Sequence, residues 1–223
     1  MENETSKTRS LNVGFLVDAE SLTNLEGLLQ EVKGALEFKV RFSDGSTVKY
    51  SDAEEILKQP NSQKRLIVSI IASVEGNHGQ AASITLRENP EPSIEYTING
   101  PQRNVIYFSD KLDDWIQSCR QWYSGLFSSS GQLIKVIGGI ALALYCANLI
   151  SKKFPESTGL PALTAVAVGM AEFYLLKLFP RGTFAVGYGQ RRDDLFSKIR
   201  NGVLLALGVS VLAEVLLKAL SRS

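Results

Sequence analysis

The chain has 223 residues, of which 44% are hydrophobic and 21% are charged, and its net charge is +1. A charge this close to zero argues against general nucleic-acid binding, which requires a basic excess to neutralise phosphates. The two cysteines, Cys119 and Cys146, lie far apart, so neither a disulfide framework nor a cysteine metal knuckle is expected. The segment from Met1 to Ser6 lacks the basic stretch and apolar core of a signal peptide, and the first domain is therefore expected in the cytoplasm.

The two halves of the chain differ in composition. Residues 1–125 alternate short apolar runs with polar residues and glycine, whereas residues 132–220 concentrate Leu, Ile, Val, Ala and Gly into three long stretches. The first half predicts a soluble α+β domain and the second predicts an α-helical transmembrane bundle. The predicted boundaries are 1–127 for the first domain, 128–131 for a linker and 132–223 for the transmembrane domain.

The first domain is predicted to contain about six strands and three helices. A helix at 20–33 shows an apolar stripe, and Ser51 with Glu54 forms a capping box for a short second helix. Ser43-Asp44-Gly45-Ser46 joins two strands as a hairpin, because glycine tolerates a positive φ. Alternating or continuous apolar runs predict strands at 11–17, 38–42, 47–50, 65–74, 82–87 and 93–98.

The third helix is predicted to begin at Ser109, a favourable N-cap residue. Its apolar face ends with Trp122 and Tyr123, and Phe127 follows just before the linker. Aromatic side chains are enriched at the level of lipid headgroups, so these three residues are candidates for a membrane-surface anchor. Packing into the domain core is the alternative, and one helix is able to do both.

Three apolar stretches predict membrane-spanning helices at about 132–151, 160–179 and 202–220. A helix needs about 20 residues to cross a hydrocarbon layer of about 30 Å, and the uncharged runs here are shorter. Buried helices of a soluble protein are therefore the alternative. Three such stretches in succession favour the membrane, because a chain this small lacks enough polar layers to surround them all. The last helix either spans or lies at the membrane surface.

Ionisable and polar side chains within the predicted spans are candidates for function, because such groups are costly in a membrane unless neighbouring helices shield them. A central charge costs about 2.5 to 3.5 kcal/mol on an insertion scale, so the second span should insert well only beside other helices. These side chains either line a polar path or form structural ion pairs that fix the register of the helices. The predicted intramembrane polar residues are Lys135, Asn148, Glu172, Glu214 and Lys218.

Small residues recur along one face of each predicted span. They allow helix backbones to approach, which drives packing where the hydrophobic effect is absent. Each of these faces also carries an ionisable residue, which favours an interior position in a bundle over chance. The predicted helix-packing residues are Gly139, Ala143, Ala147, Ala165, Gly169, Gly202, Ala206 and Ser210.

Positive charge predicts the orientation in the membrane. The segment after the second span is rich in Arg and Lys, whereas the loop after the first span carries only Lys152 and Lys153. The positive-inside rule places the former, and with it the first domain, in the cytoplasm. Residues 179–192 are predicted to form a turn there, with lipid-headgroup binding or docking onto the first domain as alternatives. The candidate surface residues of this turn are Arg181, Arg191 and Arg192.

The sequence offers no pattern typical of a nucleophile with its base, a metal site or a nucleotide loop. His78 is the only histidine, and Gly187-Tyr188-Gly189 is too short for a phosphate-binding loop. Together with the three apolar stretches, the lack of such patterns predicts a non-enzymatic, multi-pass membrane protein without a cofactor. The cytoplasmic domain is expected to bind a partner or ligand. The helices are expected to anchor in the lipid bilayer and to form a homo-oligomer or join a membrane complex, without nucleic acid. The alternative is a gated channel or membrane-disrupting effector with the cytoplasmic domain as sensor.

Overall fold

The computed structural model describes residues 4–62, 64–76, 79–88, 92–127 and 179–220, and towards the end of the last helix it describes only some side chains. The described part contains eight strands, four α-helices and one 3-10 helix. In chain order these are β1 (Glu4–Leu11), β2 (Phe15–Val17), α1 (Ala19–Gln30), β3 (Gly34–Phe42), β4 (Thr47–Tyr50), α2 (Ala53–Leu57), β5 (Ile67–Gly76), β6 (Ala81–Arg87), β7 (Ile94–Pro101), α3 (Gln102–Cys119), the 3-10 helix (Trp122–Phe127), β8 (Gly182–Phe184) and α4 (Tyr188–Leu220).

Six strands form one antiparallel sheet in the order β1-β7-β6-β5-β3-β4. Successive side chains of a strand point to opposite faces, and in β5 Ala72 and Val74 are buried on the face that α1 and α3 cover. The other face carries Ser73, Ser83 and Thr97 in one row across three strands. The α+β architecture predicted for the N-terminal region is therefore confirmed, with six strands in its sheet.

The predicted hairpin between β3 and β4 is observed. Phe42 N donates to Ser46 O at 2.9 Å, and Gly45 has a φ of +85°. Asp44 Oδ1 accepts a hydrogen bond from Ser46 N at 2.8 Å, so the aspartate fixes the turn locally.

The predicted strand at 11–17 is wrong as a single element, because residues 12–14 belong to no strand and separate β1 from β2. Only its first residue, Leu11, belongs to the edge strand β1, and its last three residues form β2, which lies outside the six-stranded sheet. Gly14 lies in this interruption between the two strands, and its carbonyl accepts a hydrogen bond from Gln121 N at 2.8 Å. A Cβ on Gly14 would lie 3.0 Å from Tyr123 Cε2, so glycine allows the close approach of this aromatic ring, which would otherwise have to move by a few tenths of an ångström.

Two predicted helix starts are shifted. The N-cap of α2 is Asp52 instead of Ser51, and Asp52 Oδ1 accepts from Glu55 N at 2.8 Å. The third helix begins at Gln102, seven residues before the predicted cap Ser109. Ser109 is buried inside α3, where its hydroxyl donates to Ile106 O at 2.8 Å, which is a bond that serine also makes within helices.

Over the residues whose side chains the structure describes, which leave out most of α4 beyond Gly202, no helix combines the length and the apolar character that crossing a membrane requires. The predicted linker, the first predicted span and the second predicted span up to residue 178 lie outside those residues.

Candidate functional site

Residues 179–189, which we call the strap, pack onto the N-terminal region. Strand β8 of the strap pairs in parallel with β2, so that Val17 lies beside Phe184. Phe15 N donates to Arg181 O at 2.8 Å, and Ala185 N donates to Val17 O at 2.8 Å. The sequence left docking onto the first domain as an alternative for this segment, and the structure shows that docking.

Asn61 fastens the strap with a buried amide. Its Nδ2 donates to Phe184 O at 3.2 Å and to Val186 O at 2.8 Å, while its Oδ1 accepts from Ile67 N at 2.7 Å. Two carbonyls on one side and an N–H on the other determine which way this amide is oriented. Asn61 has a φ of +40°, a conformation that asparagine tolerates better than most residues. It thereby ties the strap to the start of β5.

The glycines of the strap allow close approach of backbone to backbone and to side chains. A Cβ on Gly182 would lie 2.5 Å from Phe15 Cζ, and one on Gly189 would lie 2.1 Å from Phe184 O. Gly187 has a φ of +55°, and its Cβ would lie 2.5 Å from Pro60 O. Side chains at these three positions would clash with their neighbours, so glycine allows the strap to pack this closely.

At the strap's first residues, aromatic and arginine side chains form what we call the aromatic–arginine cluster, consisting of Trp122, Tyr123, Phe127, Phe179, Arg181 and Arg200. Tyr123 is central: its ring centroid lies 5.2 Å from that of Phe179 and 6.2 Å from that of Phe127, both edge to face. The Arg200 guanidinium carbon lies 4.9 Å from the Tyr123 ring centroid, within range of a cation–π interaction. The cluster therefore joins the 3-10 helix, the strap and α4.

Burial alters proton affinities in this cluster. It raises the pKa of Tyr123 to about 12, against the opposing effect of Arg200, and the Tyr123 hydroxyl donates to Pro180 O at 3.1 Å. Burial also raises the pKa of Asp193, again opposed by Arg200. Tyr123 is therefore a neutral hydrogen-bond donor at physiological pH.

Of the three aromatic residues before the linker, two show the core packing that was the alternative to a membrane-surface anchor. Tyr123 and Phe127 are buried, and both rings contact Gly14. Trp122 is 65% exposed, although its ring contacts those of Tyr123 and Phe179.

The three predicted surface arginines have different environments. Arg192 pairs with Glu88 at 3.0 Å, and both side chains are about four-fifths buried. The Arg181 guanidinium carbon lies 5.5 Å from the Phe127 ring centroid, and Arg191 is exposed on the first turn of α4. Two of the three thus contact the N-terminal region directly.

The other predicted site residues fall on α4 or outside the described residues. Helix α4 is continuous through the positions of Gly202, Ala206, Ser210, Glu214 and Lys218, and Gly202 is exposed. The side chains of the last four are outside the description, as are all atoms of Lys135, Gly139, Ala143, Ala147, Asn148, Ala165, Gly169 and Glu172.

No family model, curated protein or solved structure matches the chain. Among the described residues, no group of three or more His, Cys, Asp or Glu side chains could hold a metal ion. The strap and the aromatic–arginine cluster are therefore assessed from their own geometry. Asn61, the residue that fastens the strap, carries no local sequence signal for this role, because its partners in the strap lie more than 120 positions away.

Proposed function

We propose that the chain is a non-enzymatic, multi-pass membrane protein, whose N-terminal domain binds a partner or ligand in the cytoplasm and whose helices anchor and oligomerise it. Residues 132–151, 160–179 and 202–220 are its membrane segments in this proposal. The proposal is non-enzymatic because the sequence offers no recognisable pairing of a nucleophile with a base.

The observation that supports it best is the convergence of three chain connections on the aromatic–arginine cluster. The described chain ends at Phe127, resumes at Phe179 and continues along α4 beyond Arg200. Side chains at all three points contact Tyr123, at distances of 6.2, 5.2 and 4.9 Å. The predicted ends of two spans, residues 179 and 202, therefore fall at one place in the fold. A single membrane surface at the cluster would meet both.

This convergence also agrees with the predicted orientation. Because Phe127 and Phe179 both contact Tyr123, an even number of crossings would have to separate them. The two spans predicted between these residues satisfy that condition. The basic residues of the strap and α4 would then lie on the same side as the N-terminal domain, as the positive-inside rule requires.

Helix α4 exposes apolar side chains beyond the cluster. Leu205 and Val209 are one turn apart, and their side chains are 72% and 58% exposed. Burying such a side chain is worth about 1.5 to 3 kcal/mol relative to water, so this face is expected to contact lipid or other helices.

The membrane proposal is tested by glycosylation mapping during translation into microsomes. Acceptor sites are placed between residues 154 and 158 and after Ser223, with a control site before Glu4. We expect glycans at the first two sites and none at the control, together with resistance of the chain to alkaline carbonate extraction. A carbonate-extractable, unglycosylated chain would contradict the proposal. A glycan at the first site alone would leave the final helix on the cytoplasmic side.

The partner-binding role is assigned to the open face of the sheet. It is a broad polar surface on which Lys39, Lys49 and Glu37 form ion pairs at the β3–β4 end. The test is purification of the detergent-solubilised chain from its own cells, comparing wild type with Thr85→Arg and Thr97→Arg on that face. Loss of a stoichiometric partner in both variants would support the role. The same partner in all three preparations would exclude this face.

A gated channel is the second candidate, and the strap favours it. Strand β8 of the strap is hydrogen-bonded to β2 and is followed in the chain by α4, so a change in the N-terminal domain has a short path through these hydrogen bonds to a predicted span. The test is ion flux in liposomes for wild type, Glu172→Gln and Glu214→Gln. Flux that changes in the variants supports gating through these carboxylates. Absent or unchanged flux removes the channel.

A further inference from the structure

We propose that Trp122 is the lipid contact of the N-terminal domain, with its indole in the headgroup layer beside the emerging helices. This inference rests on the proposed function and adds to it a specific residue and its partner. It follows from the position of the ring, its exposure and the charges around it.

The Trp122 ring is both exposed and fixed. Its centroid lies 5.6 Å from that of Tyr123 and 6.0 Å from that of Phe179, and both contacts are edge to face. Such edge-to-face pairs stabilise the orientation of a ring. Trp122 is 65% exposed while two rings contact its indole, so it presents an amphipathic surface.

Phe179 gives the expected depth of this surface. It is the last residue of the second predicted span, and it therefore marks the edge of the hydrocarbon layer. Because Trp122 contacts Phe179, the indole lies at the same level. Tryptophan is enriched at that level because its ring is apolar and its N–H needs a polar partner.

The neighbouring charges favour lipid over a protein surface as the occupant. Arg120 is exposed two residues before Trp122, and Arg181 lies beside Phe127 on the strap. Basic residues at this level meet the phosphates of lipid headgroups, and anionic lipids strengthen the contact. Lipid would already surround the helices that emerge here, so the indole needs no additional partner.

The chain carries its own control for testing this contact, since it contains two tryptophans. Trp115 is buried in α3, where its Nε1 donates to Ser21 O at 2.8 Å. The full chain is reconstituted into vesicles of phosphatidylcholine and phosphatidylglycerol, with and without shallow-labelled brominated phosphatidylcholine. Tryptophan emission is compared among wild type, Trp122→Phe and Trp115→Phe.

We expect brominated lipid to remove most of the Trp122 emission and to leave that of Trp115 nearly unchanged. The difference between wild type and Trp122→Phe isolates Trp122 even if Trp115→Phe folds poorly. Quenching of Trp122 by iodide in water, with none from brominated lipid, would overturn the proposal. Protection from both quenchers would also overturn it, since a protein partner or a second copy would then cover the ring.

Flotation of the same vesicles separates this inference from the proposed function. If the chain floats and resists carbonate but Trp122 is not quenched by brominated lipid, only the lipid contact fails. If the chain does not remain with the vesicles, the membrane proposal itself fails.

Discussion

Replacing Asn61 with alanine should release the strap. The change removes the hydrogen bonds from Asn61 to the two strap carbonyls. Val186 O still accepts a hydrogen bond from Gly189 N at 2.9 Å. It also leaves Ile67 N without its acceptor on Asn61, and Ile67 is only 1% exposed. A buried group left without its bond costs about 1 to 3 kcal/mol, and alanine at a φ of +40° adds about 1 kcal/mol. We expect the free energy of unfolding to fall by about 4 kcal/mol.

The part of this loss that acts on the strap can be measured separately. The two carbonyl contacts account for about 2 kcal/mol, which corresponds to roughly a 30-fold rise in the undocked population. Hydrogen exchange of the full chain in detergent, followed by mass spectrometry of peptides covering 179–189, reports on it through the bonded amides of Ala185 and Gly189. Asn24→Ala on the exposed surface of α1 is the matched control.

Unchanged exchange of the strap in Asn61→Ala would refute the reasoning, because the amide would then not hold the strap. Equal acceleration in the strap and in the central strands would also refute it, since the strap would not open separately. Asn61→Gly, which tolerates the positive φ, should retain the accelerated exchange with a smaller loss of global stability.

Three further changes test the surroundings of the strap. Gly189→Ala places a Cβ 2.1 Å from a strap carbonyl oxygen and should cost about 3 kcal/mol in thermal unfolding, whereas Gly27→Ala in α1 meets nothing within 4 Å and should gain up to about 1 kcal/mol. The pKa of about 12 for Tyr123 lies above its unfolded value near 10, so its contribution to stability is fully present below pH 10 and is lost as the pH rises towards 12. Urea unfolding at several pH values should show this loss in wild type and not in Tyr123→Phe. A double-mutant cycle on Arg192 and Glu88 should give a coupling of about 1 kcal/mol, and a coupling near zero would remove this pair as a tether.

Short-range patterns were sufficient to predict most elements of the N-terminal sheet. The β3–β4 hairpin follows from Asp44 and Gly45, whose side chain and φ act within four residues of the chain. Strands β5, β6 and β7 were predicted to within about three residues at each end, β5 from a continuous apolar run and the other two from the alternation that one buried face imposes.

Strand β1 escaped prediction for a physical reason. It is an edge strand, and Lys7 and Arg9 occupy its helix-facing positions where apolar residues would signal a strand. Lys7 Nζ donates to Ser109 Oγ at 2.7 Å, and Arg9 pairs with Asp113 on α3. Polar partners on the helix replace apolar burial here, so the expected alternation is absent. Edge strands commonly carry such charges, which discourage pairing with other chains.

The candidate site could be predicted only in outline. The glycine, aromatic and arginine content of residues 179–192 indicated a compact turn, but its docking partner β2 is three residues long and lies more than 160 positions earlier. No periodicity connects segments at that separation. The same holds for Arg200, whose burial against Tyr123 depends on the return of the chain at Phe179.

In the proposed topology, the strap would also link membrane insertion to the stability of the N-terminal domain. Docking the strap onto a folded domain closes the segment 128–178, and closing a flexible loop of that length costs about 3 to 4 kcal/mol from its length term. An inserted pair of spans would hold residues 127 and 179 together and remove most of this cost. Replacing 132–178 with a polar flexible linker of equal length should therefore raise strap exchange by roughly 100-fold or more. Exchange that stays at the wild-type rate would show that membrane insertion does not assist docking. By reciprocity, a docked strap should hold the two spans in place, because each state lowers the free energy of the other.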